Sequence, residues 1–421
     1  MQKARQRYLE KRLIEGPWQI TGIKRNDYAG AVVIPACDEE NNLFRTLDSL
    51  VKNNGTLLEN FLILVVINQP PEAEWQIKIA NRRTLEQFTA APLRQKLQLG
   101  WIDACSDGRE LPTGGVGSAR KLGFDLALTR LRSDIDPILI GLDADTLVDA
   151  NYLEVISQHF AGAKAGAAVL PFSHQPADNE SEQQAIDQYE LYLRCYLLGL
   201  TLAGSPYAFH TIGSALACTS SAYVRCGGMN RRKAGEDFYF LQALAKTSGV
   251  ENLYGTTVYP SARLSTRVPF GTGAAMVRLV NAQEEQLFYP LSAFELLGRW
   301  LHLVATSLEL SGMALQSAAS ALDKDLGSFL HRQKLAETWD RLRNNHDQKE
   351  KLLQAFHIWF DSLKTQQLLK YLSRADQGGM TSASEAVPQF FQQINLESTG
   401  SIKSDLALLQ RWQSSHRLTV R

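Results

Sequence analysis

The feature that most constrains this chain is a series of short apolar runs, each followed by polar residues and then by a helical pattern. Ala31-Val32-Val33-Ile34-Pro35, Phe61-Leu62-Ile63-Leu64-Val65-Val66-Ile67 and Pro137-Ile138-Leu139-Ile140-Gly141-Leu142 show no polar alternation. Runs this short, β-branched and apolar on both faces suit strands buried inside a parallel sheet. A weaker run covers 97–102. Between them lie helical stripes: Leu43, Leu47 and Leu50, then Leu122, Leu126 and Leu128 within 117–131, then 151–160. The alternation from about 29 to 165 predicts an α/β fold, an open and mostly parallel sheet flanked by helices. Ligands of such sheets sit beyond the carboxyl ends of the strands. The residues to weigh are therefore Asp38-Glu39-Glu40, Asn68-Gln69 and Asp143-Ala144-Asp145.

The remainder of the chain reads differently. Residues 1–28 form a charged helical arm and a connector at Gly16-Pro17. From about 280 Gly and Pro thin out and helical patterns cover 296–315, 329–343 and 349–374, with a Gly/Ser-rich loop at 375–400 and a last helix at 405–413. The predicted organisation is an arm (1–28), a catalytic domain (29–279) and an all-helical C-terminal region (280–421). Lys plus Arg and Asp plus Glu each number 44, a balance that argues against a nucleic-acid binder. Five cysteines without C-x-x-C spacing read as reduced thiols in a cytoplasmic setting. No run approaches the roughly 20 apolar residues that span a bilayer. The expectation is a soluble protein whose helical region suits a peripheral membrane contact, a protein partner or a second subunit. Oligomeric state stays open.

The strongest single feature is Gly141-Leu142-Asp143-Ala144-Asp145-Thr146. D-x-D also occurs at 134/136 and 323/325, but only this copy directly follows a buried apolar strand. Two carboxylates at a sheet's ligand edge repel one another unless a cation neutralises them. Mg²⁺ or Mn²⁺ is typically held by one or two carboxylates, with substrate phosphates and waters completing the shell. Asp143 and Asp145 are thus expected to hold a divalent ion against a diphosphate. The plainer alternative is a solvated strand end.

The motifs then fall into a recognisable order. Val32-Val33-Ile34-Pro35-Ala36-Cys37-Asp38-Glu39-Glu40-Asn41-Asn42-Leu43 resembles the V-V-I-P-x-Y-N-E-E-x-x-L opening of family 2 glycosyltransferases with the GT-A fold. Gly117-Ser118-Ala119-Arg120-Lys121-Leu122-Gly123 resembles their G-x-A-x-A-R-N-x-G, and Asp143-Ala144-Asp145 their D-x-D. Gly227-Gly228-Met229 followed by Gly235-Glu236-Asp237-Phe238 is similar to their G-G-F and E-D pair. The resemblance covers about 30–270. It implies metal-dependent, inverting transfer of a sugar from a nucleotide-diphosphate donor to an acceptor hydroxyl. It makes Asp237 the general base, with Glu236 beside it, and places Pro35, Asp38, Glu40, Asn68 and Ala144 along the nucleotide. Asn68 stands where the family usually has an aspartate, and an amide can still hydrogen-bond a base. The Q-x-x-R-W of processive polysaccharide synthases is missing. A sugar nucleotidyltransferase lacks support because its G-x-x-T-R-x-x-P opening is not found, and a catalytically degenerate binding or scaffold protein is the remaining alternative.

Several candidates carry two readings. Arg120 contacts the donor or braces the Asp143 loop by a bidentate ion pair. Lys121 contacts phosphate or is a surface lysine. The glycine-rich stretch 113–118 presents backbone N–H groups at a helix start, which favour phosphate. Asp38 faces ribose or caps a helix. Arg263 and Arg267 share one face of an extended segment and neutralise the leaving diphosphate, or lie on a solvated edge strand. His174 is an acceptor contact, a third metal ligand or neither. Tyr189, Tyr192 and Tyr196 at helical spacing are core or an acceptor platform. The sugar, nucleotide and acceptor are left open.

Overall fold

The computed structural model describes residues 2–90, 96–112, 115–265, 271–281, 284–374 and 379–415. Among the described residues ten strands are formed: β1 (Ile20–Thr21), β2 (Gly30–Ala36), β3 (Phe61–Asn68), β4 (Gln98–Ala104), β5 (Ile138–Gly141), β6 (Leu147–Val148), β7 (Ala167–Val169), β8 (Leu216–Thr219), β9 (Val250–Asn252) and β10 (Val258–Tyr259). Eight make one sheet in the order β1-β4-β3-β2-β5-β8-β7-β9. The centre, β4-β3-β2-β5, is parallel, while β8 runs antiparallel to both β5 and β7. β6 and β10 form a separate antiparallel pair.

Composition explains the centre. Every residue of β2 and β3 is buried, so both faces need apolar side chains and helices to cover them. The helix Val116–Leu128 is one cover. Its Gly123 lies so close to Val33 and Val66 that a Cβ there would collide with Val33. The α/β architecture expected from the apolar runs is what the chain adopts, and the parallel strands all end on one edge.

Two compact units divide the chain: Met1–Gln183 with Thr211–Val277, and Gln184–His210 with Arg278–Arg421. The first holds the sheet. The second is helical, and among its described residues no strand forms beyond one isolated bridge, Phe288 to Thr381. Its core packs Trp300 against Phe356 and Phe360, at ring separations of 5.7 and 6.1 Å. Arg194 is buried there and satisfied by Glu190 and Gln413. The tyrosine series belongs to this packing: Tyr192 stacks on Tyr189 and meets Phe288 edge-on, and Tyr196 meets Phe294.

Each long helical pattern after 280 is two helices. Gly312–Leu322 starts at the cap Ser311, which accepts from Ala314 N, and Ser362–Leu372 starts at Asp361, which accepts from Lys364 N. Between Lys324–Arg332 and Leu335–Asn345 the chain turns through Lys334 at φ 57°. The stretch 375–400, expected to be a loop, contains the helix Ala383–Gln392 with Pro388 inside it. Its buried Val387, Phe390 and Phe391 supply an apolar face that the flanking Ser and Gly residues obscure in the sequence.

A left-handed φ costs an L-residue about 1–2 kcal/mol that glycine avoids. Lys334→Gly is therefore expected to raise the stability of the helical unit by up to about 1 kcal/mol. An upward shift in the denaturant midpoint checks this.

Candidate functional site

The parallel strands end at a cluster of acids and arginines. After β5 the chain turns through Asp143-Ala144-Asp145, and three hydrogen bonds fix the turn. Thr46 Oγ1 donates to Ala144 O (2.8 Å), Gln175 Nε2 donates to Asp145 O (2.8 Å), and Thr146 N donates to Asp143 O (3.1 Å). With its carbonyls held this way, the turn leaves Asp143 and Asp145 partly exposed, at side-chain exposures of 34% and 20%.

Arg120 reaches this turn from the first turns of Val116–Leu128. Its guanidinium is buried and pairs with two carboxylates, Asp143 and Glu236. Glu236 and Asp237 open the helix Glu236–Ser248, after Gly235 at φ 68°. Asn230 Nδ2 donates to Glu236 O (2.8 Å), tying this start to the Gly227-Gly228-Met229 segment. The sequence left Arg120 between two roles, and the geometry gives it the bracing contact. Gly213 makes room, because a Cβ there would collide with the guanidinium.

A second arginine mirrors the first. Arg263, past the end of β10, pairs with Asp145 (2.9 Å) and with Glu39. Glu39 is buried and Asn42 Nδ2 donates to it (3.1 Å). The expected extended strand 259–267 is short: β10 covers only Val258–Tyr259, and Arg263 lies beyond it. Arg267 lies outside the described residues.

Four carboxyls, Glu39, Asp143, Asp145 and Glu236, thus pair with two guanidiniums, and a fifth, Asp237, follows Glu236. Burial pushes the Glu236 carboxyl up to about 7 against the pull of Arg120, and neighbouring Asp237 and Asp143 add to the push. Burial likewise raises Asp237, again opposed by Arg120. Burial would lower the Arg120 guanidinium, but Asp143 and Glu236 hold it above its ordinary value. The excess negative charge suits protons or a cation. Asp143 and Asp145 supply two carboxylates at a partly open turn, which fits a divalent ion completed by donor phosphate oxygens and water. Among the described residues no group of three or more His, Cys, Asp or Glu side chains forms a ready cage.

The nucleotide-facing candidates are placed as follows. Pro35 lies in β2, paired with Val66, and Ala144 is buried. Asp38 is exposed at φ 59°, and its N–H donates to Asn81 Oδ1 (2.9 Å). It caps no helix: Leu43–Val51 begins at Asn42. Glu40 pairs loosely with Arg83 at 3.6 Å. Asn68 is 4% exposed, and its amide, oriented to donate to Val66 O and Ala36 O, closes the ends of β2 and β3. Asn81 binds Asn68 O (3.2 Å) and Gln69 Oε1 (2.9 Å), and Gln69 Nε2 donates to Cys105 O (2.7 Å). His174 faces Thr272 Oγ1 at 3.4 Å and Phe172 edge-on.

Two expectations are corrected. Lys121 does not join the acidic cluster. Successive helical residues diverge by about 100°, so the neighbour of Arg120 faces elsewhere. Its Nζ lies in a buried pair with Asp125 (2.7 Å) and donates to Tyr8 Oη (3.0 Å). Tyr8 and Tyr223 donate to Asp125 (2.8 and 2.7 Å), and Gly228 leaves the space that the Tyr8 hydroxyl fills. The glycines before Arg120 are also spoken for. A Cβ on Gly115 would stand 3.0 Å from Lys233 Cα, and one on Gly117 would collide with Arg232 O. These glycines admit the 230–233 backbone.

Sequence reasoning weighed Glu39 without giving it a role, and passed over Asn81 and Tyr8. Glu39 was visible between two chosen acids. Tyr8 was visible as the one aromatic in a charged helix. Asn81 sits in Trp75–Ala90 with no sequence signal.

No protein-family model matches the chain, and no curated protein matches it. Among solved structures, S. aureus TarS 1-349 aligns at 11% identity and a TM-score of 0.39, over 77% of this chain and 88% of that one. The mannosyltransferase PcManGT from Pyrobaculum calidifontis, in complex with GDP-Man and Mn²⁺, aligns at 16% identity and a TM-score of 0.38, over 85% and 93%. GalNAc-T7 with UDP, GalNAc and Mn²⁺ aligns at 13% identity and a TM-score of 0.35, over 61% and 48%. At these TM-scores the alignments carry no residue-level correspondence.

Two outcomes follow from the Arg120 bridge. Gly213→Ala displaces a buried guanidinium and is expected to cost about 1–3 kcal/mol, read from thermal or denaturant midpoints. The folded state holds the Glu236 proton more tightly than the ordinary 4.5. Its contribution to stability is therefore full below pH 4.5 and lost as pH rises through about 7. Glu236→Gln removes that part of the slope, so wild-type stability minus variant stability should decline from pH 5 to pH 8.

Proposed function

We propose that this chain is a glycosyltransferase of the GT-A, family 2 kind. On this reading it moves a sugar from a nucleotide-diphosphate donor to an acceptor hydroxyl with inversion. We assign catalysis to 29–279, with 280–421 as a helical domain, in a cytoplasmic setting that suits five free thiols. None of the helices of the described residues is long and apolar enough to cross a membrane. The observation that supports the reading best is the Arg120 bridge, through which the D-x-D aspartate and the E-D glutamate meet at the carboxyl end of a parallel sheet.

In this mechanism Asp237 takes the proton from the acceptor hydroxyl as oxygen attacks the anomeric carbon. A carboxyl raised by burial is a better proton acceptor for that step than a solvated one. Glu236 does not face the acceptor. It locks Arg120, which in turn fixes the Asp143 turn. Asp143 and Asp145 would hold Mg²⁺ or Mn²⁺, which when bound supplies positive charge to the donor diphosphate. Arg263, on Asp145 and Glu39, adds positive charge on the side where the leaving diphosphate would develop its own negative charge.

Asp237→Asn is expected to lower transfer by roughly 10²–10⁴-fold while nucleotide binding persists. Released nucleoside diphosphate and calorimetric binding measure the two separately, and full activity in the variant would remove Asp237 from the role. Chelation is expected to abolish transfer and added Mn²⁺ to restore it. Transfer that survives chelation would leave Arg263 as the charge facing the diphosphate.

A further inference from the structure

The segment between Gly228 and Glu236 carries Arg231, Arg232 and Lys233 and no acid. All three are exposed, and among the described residues none has a carboxylate partner. The contrast with the cluster beside them is sharp, since Arg120 and Arg263 each hold two acids. In a chain whose charges balance to zero, three adjacent unpaired cations are a local excess.

The backbone that carries them and the Arg232 side chain are held in place. Arg232 N donates to Asn230 Oδ1 (3.2 Å), and the same side chain donates to Glu236 O (2.8 Å). The Arg232 guanidinium stacks on the Tyr239 ring at 3.7 Å. The backbone of 232–233 rests on Gly115 and Gly117, where side chains would not fit. Three cations on an anchored backbone, one of them stacked on Tyr239, thus lie within six residues of Asp237 on the short loop that leads into its helix.

Gly117 faces both Arg232 O and Glu236 Cβ, so this loop lies beside the start of the Asp237 helix, to which an acceptor brings its hydroxyl. The acids around Arg120 and Arg263 repel an anionic acceptor, whereas a cationic rim attracts one. We propose that Arg231, Arg232 and Lys233 form an acceptor subsite that recognises a phosphate group on the molecule to be glycosylated. A dianionic phosphate matches three adjacent cations better than a single carboxylate does. The proposal rests on the glycosyltransferase reading and deepens it by naming the acceptor class.

The test compares glycerol 3-phosphate, glycerate and glycerol as acceptors across a panel of nucleotide-sugars, following released nucleoside diphosphate. Wild type is expected to use glycerol 3-phosphate at a kcat/KM at least about 10-fold above that for glycerol, falling as salt rises. The triple variant Arg231→Gln/Arg232→Gln/Lys233→Gln should lose that preference and keep donor hydrolysis in the absence of acceptor. Because Arg232 also stacks on Tyr239, the double variant Arg231→Gln/Lys233→Gln serves as a second probe and should lose most of the preference. The control Arg7→Gln/Lys11→Gln/Arg12→Gln removes the same charge from the exposed side of the arm and should keep the preference.

Equal use of the three acceptors, a preference for glycerate, or a preference untouched by the triple variant overturns the subsite. Loss of donor hydrolysis in both loop variants overturns it too, since the loop would then serve the donor. Failure to turn over any nucleotide-sugar counts against the glycosyltransferase reading instead. The subsite is then read by calorimetry with glycerol 3-phosphate, where binding must weaken about 10-fold in the triple variant, and equal binding by the two proteins overturns it.

Discussion

A buried guanidinium cannot stand alone. Arg120 is 2% exposed, and a charge at that depth is tolerated only when it is paired and hydrogen-bonded. It therefore requires both Asp143 and Glu236, and in requiring them it fixes two loops from distant parts of the chain against one helix. The clamps on the Asp143 turn, the glycine at 213 and the Asn230 contact to Glu236 all serve the same arrangement.

The same pairing sets the electrostatic character of the site. Arg120 and Arg263 each take an aspartate of the D-x-D and one further acid, so the two aspartates are held apart by separate partners. Among the described residues Asp237 has no such partner of its own, and burial raises its carboxyl. The two acids that open Glu236–Ser248 thus keep proton affinity, while Glu39, Asp143 and Asp145 lie against guanidiniums, which is how a cluster of like groups can divide its roles.

Much of the sheet was legible because β2, β3 and β5 are apolar on both faces, and only a buried strand tolerates that. The helical unit was legible as helix but not as helices. The amphipathic stripe continues across Ser311, Lys334 and Asp361, while the breaks depend on a cap or a single left-handed residue. In the site, acids directly after strands could be read because sheet topology puts them on one edge. Which way each one turns could not. Asp38 at φ 59° points out and Glu39 turns in, and Lys121 leaves the face that Arg120 occupies. Asn81 acts from a helix whose packing no local pattern announces.

The Tyr8–Gly228 fit has a practical side. The phenol of Tyr8 stands where any larger residue than glycine at 228 would need to be, and it is one of three donors on the enclosed Asp125 carboxylate. Removing the arm through residue 8 would open a wet hole at Gly228 and strip that carboxylate of a donor. A truncation of the arm that stops before Tyr8 keeps all three donors on Asp125.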